Sequence, residues 1–403
     1  MSKLEQLIQE LCPNGVEYRC IKNIAEVGTG SSNGNEAQEN GKYPFFIRSK
    51  TVKYKNDWEY DEEAIVIPGE GGIGDIYHYI IGKYALHQRA YRIHFTYEMI
   101  NTKFAFYCFQ AYFKQFILCK AVSATVQSIR KPMIEEFMLP VPPLEVQREI
   151  VRVLDSFTLL TAELTAELTA ELTARKKQYE FYRNKLLTQN IEIERVPLSK
   201  IAKFTYGYTD KAKDLGDTRF IRITDITNDG CLNPNGAKYI DISDDSKSYL
   251  ITKGDLLMAR TGATYGKTLY YPSDEPAVYA SFLIKISLDN RKILNRYYWH
   301  FSKSQLYWNQ AEKLVSKGGQ QQFNANSVGR VIVPVPPLGV QERIVEVLDN
   351  FDKICTDLNI GLPAEIEARQ KQYEYYRDLL LTFAEKGNTM FPTDRPTDRP
   401  TEV

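Results

Sequence analysis

The stretch Leu139–Phe157 (LPVPPLEVQREIVRVLDSF) occurs a second time in the chain, as Val333–Phe351 (VPVPPLGVQERIVEVLDNF), 194 residues further on. The match continues at the same displacement between Ala174–Thr188 (ARKKQYEFYRNKLLT) and Ala368–Thr382 (ARQKQYEYYRDLLLT). Chance does not produce two such matches at one displacement, so the chain contains an internal repeat. The repeated blocks are equal in length, whereas the segments before them are almost unrelated. This pattern predicts the order variable domain, helical block, variable domain, helical block.

Each repeated block has the apolar spacing of a helix that begins after two prolines. In the first block, the apolar residues from Leu144 to Leu154 follow the prolines at helical intervals. The pair Asp155–Ser156 has the composition of a helix cap, which predicts a break and a second helix after it. In the second block, Pro363 predicts that the last long helix begins there and ends near Ala384.

The first block also contains a threefold TAEL repeat at Thr161–Leu172. Four residues make slightly more than one helical turn, so the leucines form a slowly rotating stripe that needs a partner helix. The stripe consists of Leu160, Leu164, Leu168 and Leu172. The second block lacks TAEL. We interpret this helix as a spacer whose length matters, and the alternative is a passive helical insert.

Both variable segments have the pattern of mixed, β-rich domains. Short runs of β-branched and aromatic residues, bounded by Gly, Pro, Asn and Asp, predict strands. These runs are Tyr43–Arg48, Ala64–Pro68, Ile76–Ile81, Phe220–Thr224, Asp255–Arg260 and Phe282–Ile286. Helical spacing occurs near Thr102–Cys119 and Leu294–Leu314. A weaker match of Val16–Gly30 to Ile193–Gly207, displaced by 177 residues, indicates that both segments begin alike, and we predict an α+β fold.

The repeat and the composition of the chain end predict five segments. A first variable domain (residues 1–141) precedes a first helical block (142–190). A second variable domain (191–335) precedes a second helical block (336–385). The tail, residues 386–403, contains PTDRPTDRP, whose proline and polar content predicts disorder.

The composition excludes several classes of protein. The 51 basic residues balance the 51 acidic ones, so overall charge does not predict binding to nucleic acid. A positive surplus is confined to the second variable domain, with 20 basic and 15 acidic residues. No apolar run approaches the ~20 residues of a membrane span, and the start lacks a signal sequence, so we expect a cytoplasmic protein. The six cysteines contain no CxxC pair, which argues against a zinc site or a disulfide framework.

No motif in the chain predicts catalysis or metal binding. Gly69–Gly74 matches the dinucleotide pattern G-x-G-x-x-G, but the next residues have the pattern of a strand instead of the required helix. We therefore predict a glycine-rich hairpin there. Asn233–Gly236 lacks the second proline and the aromatic ring of a base-flipping methyltransferase motif, so a turn is predicted. The four histidines have no metal-ligand spacing, and we expect no catalytic residue and no metal site.

The sequence does offer polar, basic and aromatic loops with the chemistry to contact DNA. The glycine-rich turn Arg260–Lys267 combines two cations with two hydroxyls, which suit phosphate contacts and base-edge hydrogen bonds. The candidate DNA-binding residues are Arg222, Arg260, Thr261, Thr264, Tyr265, Lys267, Gln320, Gln321 and Asn324 in the second variable domain and Arg48, Ser49, Lys50, Gln88, Arg89, Gln127 and Arg130 in the first. Each residue taken singly also fits an ordinary polar surface loop.

The doubled block, with a divergent domain before each copy, resembles the specificity subunit of type I restriction-modification enzymes. The resemblance rests on the two PxPPLxxQxxIVxxLD blocks and on the RTGATYGK turn of the second variable domain, and it covers residues 1 to about 385. The first variable domain departs from the pattern, with Pro68–Gly74 (PGEGGIG) in place of that turn.

The resemblance implies that each variable domain is a target recognition domain that reads one half of a bipartite, asymmetric DNA sequence. It implies that the helical blocks pair as an antiparallel coiled coil, in a pseudo-two-fold arrangement, and space the half-sites. It also implies two methyltransferase subunits, which bind S-adenosylmethionine and methylate adenine, and motor-nuclease subunits, which use ATP and Mg²⁺. The chain itself would bind no cofactor and would act at the nucleoid of a bacterium or archaeon. The candidate partner-binding residues are Gln178, Tyr182, Arg183, Gln372, Tyr376 and Arg377.

Two other functions stay open at this point. The first is an autonomous DNA methyltransferase or nuclease, which is disfavoured because the chain lacks an S-adenosylmethionine loop and an N-P-P-aromatic motif. The second is a helical scaffold whose β-rich domains bind protein. Sequence-specific modification of DNA distinguishes a specificity subunit from the scaffold, and its dependence on a partner subunit distinguishes it from the autonomous enzyme.

Overall fold

The computed structural model describes residues 2–72, 74–120, 128–188, 193–227, 229–233, 235–316, 321–357 and 360–383. It forms two compact units, Met1–Glu167 with Ile366–Val403, and Leu168–Glu365. We call them the first and the second unit. Each unit combines one variable domain with parts of both helical blocks. The predicted disordered tail and the candidate residues Gln127 and Gln320 lie outside the described residues.

The two variable domains contain the strands and several short helices, and the helical blocks contain the longest helices. The helices are α1 (Lys3–Leu11), α2 (Thr102–Cys108), α3 (Lys114–Lys120), α4 (Lys131–Glu135), α5 (Leu144–Thr188), α6 (Asp244–Lys247), α7 (Asn295–Ser302), α8 (Gln305–Leu314), α9 (Ala325–Gly329), α10 (Leu338–Thr356) and α11 (Leu362–Leu381). A π-helical turn, Phe109–Phe113, joins α2 to α3. None of the helices in the described ranges combines the length and the apolar composition that a membrane span requires.

The strands lie in the two variable domains. They are β1 (Glu17–Cys20), β2 (Ala25–Thr29), β3 (Tyr43–Phe46), β4 (Lys53–Lys55), β5 (Tyr60–Pro68), β6 (His78–Leu86), β7 (Ala90–Phe95), β8 (Met138–Val141), β9 (Glu194–Pro197), β10 (Ala202–Tyr206), β11 (Thr218–Ile221), β12 (Tyr239–Ile240), β13 (Leu250–Ile251), β14 (Leu256–Ala259), β15 (Thr268–Tyr270), β16 (Ala277–Tyr279), β17 (Leu283–Leu288) and β18 (Ile332–Val335). Each predicted strand overlaps one of them, and the predicted hairpin at Gly69–Gly74 joins the antiparallel strands β5 and β6.

The first helical block is one helix, so the predicted break at Asp155–Ser156 is wrong. α5 runs through these residues without interruption. The hydroxyls of Ser156 and Thr158 donate to backbone carbonyls four residues earlier, at 2.9 and 2.8 Å. The polar side chains therefore bond within the helix instead of capping a new one. The prediction for the second block is confirmed, since α11 begins beside Pro363.

The two variable domains share most of their strand topology. In the first, a six-stranded sheet has the order β2-β7-β5-β6-β3-β4. In the second, one sheet has the order β10-β17-β14-β15 and another has the order β12-β11-β16-β13. The long strand β6 pairs antiparallel with β5 and parallel with β3. In the second domain β15 and β16 divide these two pairings between them. One long strand of the first domain thus corresponds to two short strands of the second.

The two domains also begin and end alike. β1 pairs antiparallel with β8, which leads into the first helical block, and β9 pairs antiparallel with β18, which leads into the second. β1 and β2 correspond to β9 and β10 at the displacement of the weaker sequence match. Gly30 and Gly207 follow β2 and β10, where a Cβ atom would lie 1.8 and 2.2 Å from a backbone carbonyl oxygen. The close approach explains why both domains have glycine there.

Apolar residues from both helical blocks complete the core of each unit. The first core includes Val146, Ile150 and Leu154 of α5 and Leu381 and Phe383 at the end of the second block. The second core includes Tyr179 and Leu187 of α5 and Ile344 and Leu348 of α10. The apolar spacing that predicts the helices therefore marks the side chains that face the variable domains.

A buried glutamine ties the first helical block to the first variable domain. Oε1 of Gln147 accepts a hydrogen bond from the backbone N–H of Asn101 at 2.8 Å. Its Nε2 donates to the backbone carbonyls of Met99 and Pro142 at 2.8 and 2.6 Å. The side chain is fully buried, and it satisfies two backbone groups just before α2 and one just before α5.

Gln341, the repeat partner of Gln147, makes the same three hydrogen bonds in the second unit. It accepts from the N–H of Leu294 at 2.9 Å and donates to the carbonyls of Lys292 and Pro336 at 2.8 and 2.7 Å. We call each arrangement a glutamine clamp. The clamp fixes the start of α2 against α5 in the first unit and the start of α7 against α10 in the second unit.

An aspartate about two turns further along each block forms a second tie. Asp155 and its repeat partner Asp349 each accept hydrogen bonds from two side chains one turn apart on the domain's helix. The donors are Lys103 Nζ (2.9 Å) and Tyr107 Oη (2.6 Å) to Asp155, and Arg296 Nε (2.7 Å) and His300 Nε2 (2.7 Å) to Asp349. The donors differ in chemistry, but their positions relative to the clamp are the same.

His300 extends this tie into a buried hydrogen-bonded chain. Burial lowers the pKa of His300 to about 4, so the ring is neutral at pH 7. Its Nε2–H then donates to Asp349, and its Nδ1 accepts from the hydroxyl of Tyr179 on α5 at 3.0 Å. One side chain of the second variable domain thus bonds to both helical blocks.

The clamp gives a first prediction. Gln341→Leu removes three hydrogen bonds made by a fully buried side chain, so we expect a loss of about 2–4 kcal/mol in unfolding free energy. Thermal denaturation should show a fall in Tm of roughly 5–10 °C. The matched control is Gln370→Leu on α11, where the exposed amide Nε2 donates to Glu374. Equal unfolding temperatures for the two variants would contradict the clamp.

Candidate nucleic-acid interface

The glycine-rich turn Arg260–Lys267 connects β14 to β15 and is fixed by its neighbours. The N–H of Arg260 donates to the carbonyl of Phe282 at 3.1 Å, and the N–H of Phe323 donates to the carbonyl of Arg260 at 2.8 Å. The structure thus brings together two predicted segments, the turn and Gln321–Asn324, that are about 60 residues apart in the chain.

In the first variable domain, two backbone hydrogen bonds fix Gly69 in the same way. The N–H of Gly69 donates to the carbonyl of Arg89 at 2.8 Å, and the N–H of Ile129 donates to the carbonyl of Gly69 at 2.8 Å. These are the two backbone hydrogen bonds that Arg260 makes in the second domain. The stretch that departs from the turn in sequence therefore occupies the place of the turn in the fold.

Arg260 lies between two exposed aromatic rings. Its Cζ atom is 5.1 Å from the ring centre of Tyr206 and 5.7 Å from that of Phe282. Its Nε donates to the carbonyl of Ser281 at 3.0 Å. The rings of Tyr206 and Phe282 are 41% and 50% exposed. The sequence alone did not single out either ring, although Tyr206 stands beside the matched glycine at the end of β10.

Three other candidates of the second domain have structural roles. Thr261 is buried, which contradicts its predicted contact with DNA. The ring of Tyr265 is half-buried and packs edge-to-face against Trp308 at 5.9 Å. Oδ1 of Asn324 caps α9 by accepting from the N–H of Ser327 at 3.0 Å. Turn and cap residues have the same composition as DNA-contacting loops, so the sequence did not separate them.

The remaining candidates of the second domain differ in their exposure and in the hydrogen bonds that they already make within the domain. Gln321 is exposed, whereas Thr264 and Lys267 are half-buried. Arg222 donates to both carboxylate oxygens of Asp225, from Nε at 3.2 Å and from Nη2 at 2.8 Å. This bidentate pair holds the guanidinium against its own loop.

Two candidate arginines of the first domain share one carboxylate. Nη1 of Arg48 and Nη1 of Arg89 donate to the same oxygen of Glu70, at 3.0 and 2.9 Å. The hydrogen bond from Arg89, supported by Arg48, holds the pKa of Glu70 below its ordinary value. Such exposed ion pairs contribute little to stability, so the arginines can exchange partners on binding. The sequence did not single out Glu70, but it directly follows Gly69.

The other candidates of the first domain surround this cluster in the chain. Gln88 is exposed, and its Nε2 donates to Oδ1 of Asn33 at 2.7 Å. Lys50 and Arg130 are exposed, and the hydroxyl of Ser49 donates to the carbonyl of residue 51 at 2.7 Å. Among the described residues, no three His, Cys, Asp or Glu side chains are grouped as metal ligands.

A family model described as the type I restriction modification DNA specificity domain matches residues 13–174 and 190–368. The chain belongs to this family. The two matches begin near β1 and β9 and include the repeated blocks, so the internal repeat and the family assignment rest on the same residues.

Proteins described as specificity subunits are similar along much of the chain. A Haemophilus influenzae protein described as a type I restriction enzyme specificity subunit is 30% identical over 401 residues, which cover 94% of this chain and 98% of that protein. The EcoR124I/EcoR124II specificity subunit of Escherichia coli is 35% identical over 263 residues, 60% of this chain and 61% of that protein. A solved structure from work on complex assembly and conformational transition of the type I R-M system has the same fold, with a TM-score of 0.65, 12% identity and coverage of 92% and 98%.

In this specificity subunit, the predicted partner-binding tyrosines lie where the helical blocks meet. In the first unit, Tyr376 of α11 contacts Phe157 of α5 edge-to-face at 6.3 Å. In the second unit, Tyr182 of α5 stacks on Phe351 of α10 at 5.6 Å. The two contacts join the same positions of the repeat with the copies exchanged. Both tyrosines remain more than one-third exposed, so their outer faces are accessible.

The neighbouring candidates of the specificity subunit are less accessible. Arg183 is buried, with its guanidinium 5.1 Å from the ring centre of Tyr179, so its placement on a partner-binding surface is wrong. Arg377 is mostly buried and pairs with Asp378 at 2.7 Å. Gln178 and Gln372 each accept a hydrogen bond from an arginine three residues earlier, at 3.0 and 3.1 Å.

The first two leucines of the TAEL stripe lie opposite α11 within the first unit. Leu160 and Leu164 line an open cavity of about 250 Å³ together with Phe157 and Tyr376. α5 and α11 are antiparallel there, since Thr158 hydrogen-bonds to Tyr373 at 3.0 Å while the earlier residue Phe157 contacts the later residue Tyr376. Leu168 and Leu172 are half-buried.

Proposed function

We propose that this specificity subunit reads a bipartite, asymmetric DNA sequence, with each variable domain acting as the target recognition domain for one half-site. The observation that carries this proposal is that Arg260 and Gly69 make equivalent backbone hydrogen bonds in the two candidate interfaces. At equivalent positions the second domain presents Arg260 between aromatic rings, whereas the first presents Gly69 followed by Glu70 with its two arginines. Different hydrogen-bond donors and acceptors at equivalent backbone positions read different bases.

We further propose that the helical blocks set the separation of the half-sites and bind two methyltransferase subunits. Those subunits would bind S-adenosylmethionine and methylate adenine, and motor-nuclease subunits that use ATP and Mg²⁺ would complete the restriction enzyme. Family membership supports these partners, as does the shared fold with a protein whose solved structure concerns assembly of a type I R-M system. The balanced charge of the chain also agrees with a shared DNA clamp, in which other subunits supply cations. The complex would act at the nucleoid, in the cytoplasm.

The decisive experiment is single-molecule sequencing of a host genome after co-expression of the chain with its cognate methyltransferase subunit. We expect modified adenines at one split, asymmetric motif, and only when both proteins are present. The chain expressed alone is the control, because it supplies recognition without a methyl-transfer site.

Two results would contradict the proposal. Modification by the chain alone would indicate an autonomous methyltransferase. A verified complex that modifies no DNA would favour a helical scaffold whose domains bind protein.

A further inference from the structure

Arg260 is fixed from its backbone to its guanidinium. Its backbone N–H and carbonyl bond to Phe282 and Phe323, and its Nε–H donates to Ser281. The rings of Tyr206 and Phe282 lie within cation–π distance of its Cζ atom. An arginine on an open loop loses side-chain entropy when it binds a ligand, but most of that entropy is already lost here. Arg260 is therefore preorganised for recognition.

The outer edge of this guanidinium is available to a ligand. Within the described ranges, Nε makes the hydrogen bond to Ser281 and neither Nη atom bonds to another residue. An arginine held through Nε presents parallel N–H groups from its two Nη atoms. That pair of donors matches O6 and N7 of guanine in the major groove.

Phosphate accepts the same pair of donors, but the surroundings favour a base. Tyr206 and Phe282 are both exposed beside Arg260, and aromatic faces pack against bases and not against anionic phosphate. Gln321 and Gln322 are also exposed, and the backbone of Gln322 pairs with that of Thr261, the next residue after Arg260. The cation thus lies among groups that contact base edges.

We propose that Arg260 reads a guanine in the half-site of the second variable domain, and that Tyr206 and Phe282 position it. This proposal rests on the proposed function and names the base class that one residue recognises. Gly69 occupies the counterpart position of the first domain and has no side chain. The contact between an arginine at this position and guanine is therefore expected only in the half-site of the second variable domain.

The test uses the whole chain with its methyltransferase subunit. Arg260→Lys keeps the charge but replaces the rigid planar pair of donors by one rotatable ammonium group, so we expect methylation to spread to sites that differ at one G·C pair of one half-site. Discrimination at that position should fall by about 10-fold or more, the order expected for a bidentate contact. The other half-site should stay unchanged. Arg291→Ala is the control, because Arg291 is an exposed arginine of the same domain that pairs with Asp289.

Other outcomes would overturn the proposal. If Arg260→Ala weakens DNA binding equally at all sequences and lowers its salt dependence, while Arg260→Lys restores both, the residue contacts phosphate. Relaxation at an A·T pair, or an unchanged motif, would also refute guanine readout. Arg260→Lys decides the matter if Arg260→Ala does not fold. A wild-type complex without a split motif would instead contradict the proposed function.

Discussion

Replacing residues 1–141 by the first variable domain of another specificity subunit should exchange one half-site of the DNA target and leave the other half-site and the spacer unchanged. The structural reason is that the connections between domain and helical block repeat, whereas the candidate DNA-contacting side chains do not. The β1–β8 pair closes the domain on itself. The glutamine clamp bonds to backbone groups that any domain of this topology can supply.

The exchange can be designed from these contacts. The donor domain should keep side-chain donors at the positions of Lys103 and Tyr107, because Asp155 of the recipient would otherwise be left without partners. Sequencing of modified adenines gives the motif of the chimaera. The reciprocal exchange of residues 191–335 is the matched control, and it should alter the other half-site. If either exchange alters both half-sites, the reading of the target is not divided between the domains.

The contacts that make this exchange possible were only partly predictable from the sequence. The repeat located both helical blocks, and the weaker match located β1, β2 and their counterparts. The glutamine of the PxPPLxxQ pattern was visible as a repeated residue, but its partners at Met99 and Asn101 were not. These two backbone groups belong to the variable domain, and their contact with Gln147 depends on tertiary packing. Likewise, a local capping signal at Asp155–Ser156 predicted a break, but Asp155 instead bonds to α2.

The candidate interface shows the same limit at the level of single residues. The turn Arg260–Lys267 was identified from its composition, and the structure holds the Arg260 guanidinium near two exposed aromatic rings. Thr261 and Asn324 belong to the same two segments, but the fold uses them for packing and helix capping. Gly69 became recognisable as the counterpart of Arg260 only through backbone hydrogen bonds, because the two stretches share almost no sequence. Amino-acid composition identifies such loops, whereas the backbone hydrogen bonds of the folded domain decide which of their side chains face outward.

The second large effect concerns the length of the spacer helix. Deleting one TAEL unit, residues 165–168, should shorten the unspecified DNA between the half-sites by one base pair and leave both half-sites unchanged. Four residues add ~6 Å to a helix and turn it by about 400°, a net rotation of about 40°. One base pair of B-DNA adds ~3.4 Å and turns by roughly 34–36°. The rotations nearly match although the translations differ, so a domain shifted by one unit meets the next base pair at a similar angle.

The structure allows a sharp test, because α5 passes through all three TAEL units without a break. Deleting only two residues turns the following helix by about 200°, so we expect that variant to lose methylation at every spacer length. The double substitution Glu163→Gln and Glu167→Gln keeps the length and should keep the original spacer, which separates length from sequence. The spacer is read directly from the positions of modified adenines. If the TAEL deletion retains the original spacer, the helix is a passive insert, and the separation of the half-sites is set by contacts outside it.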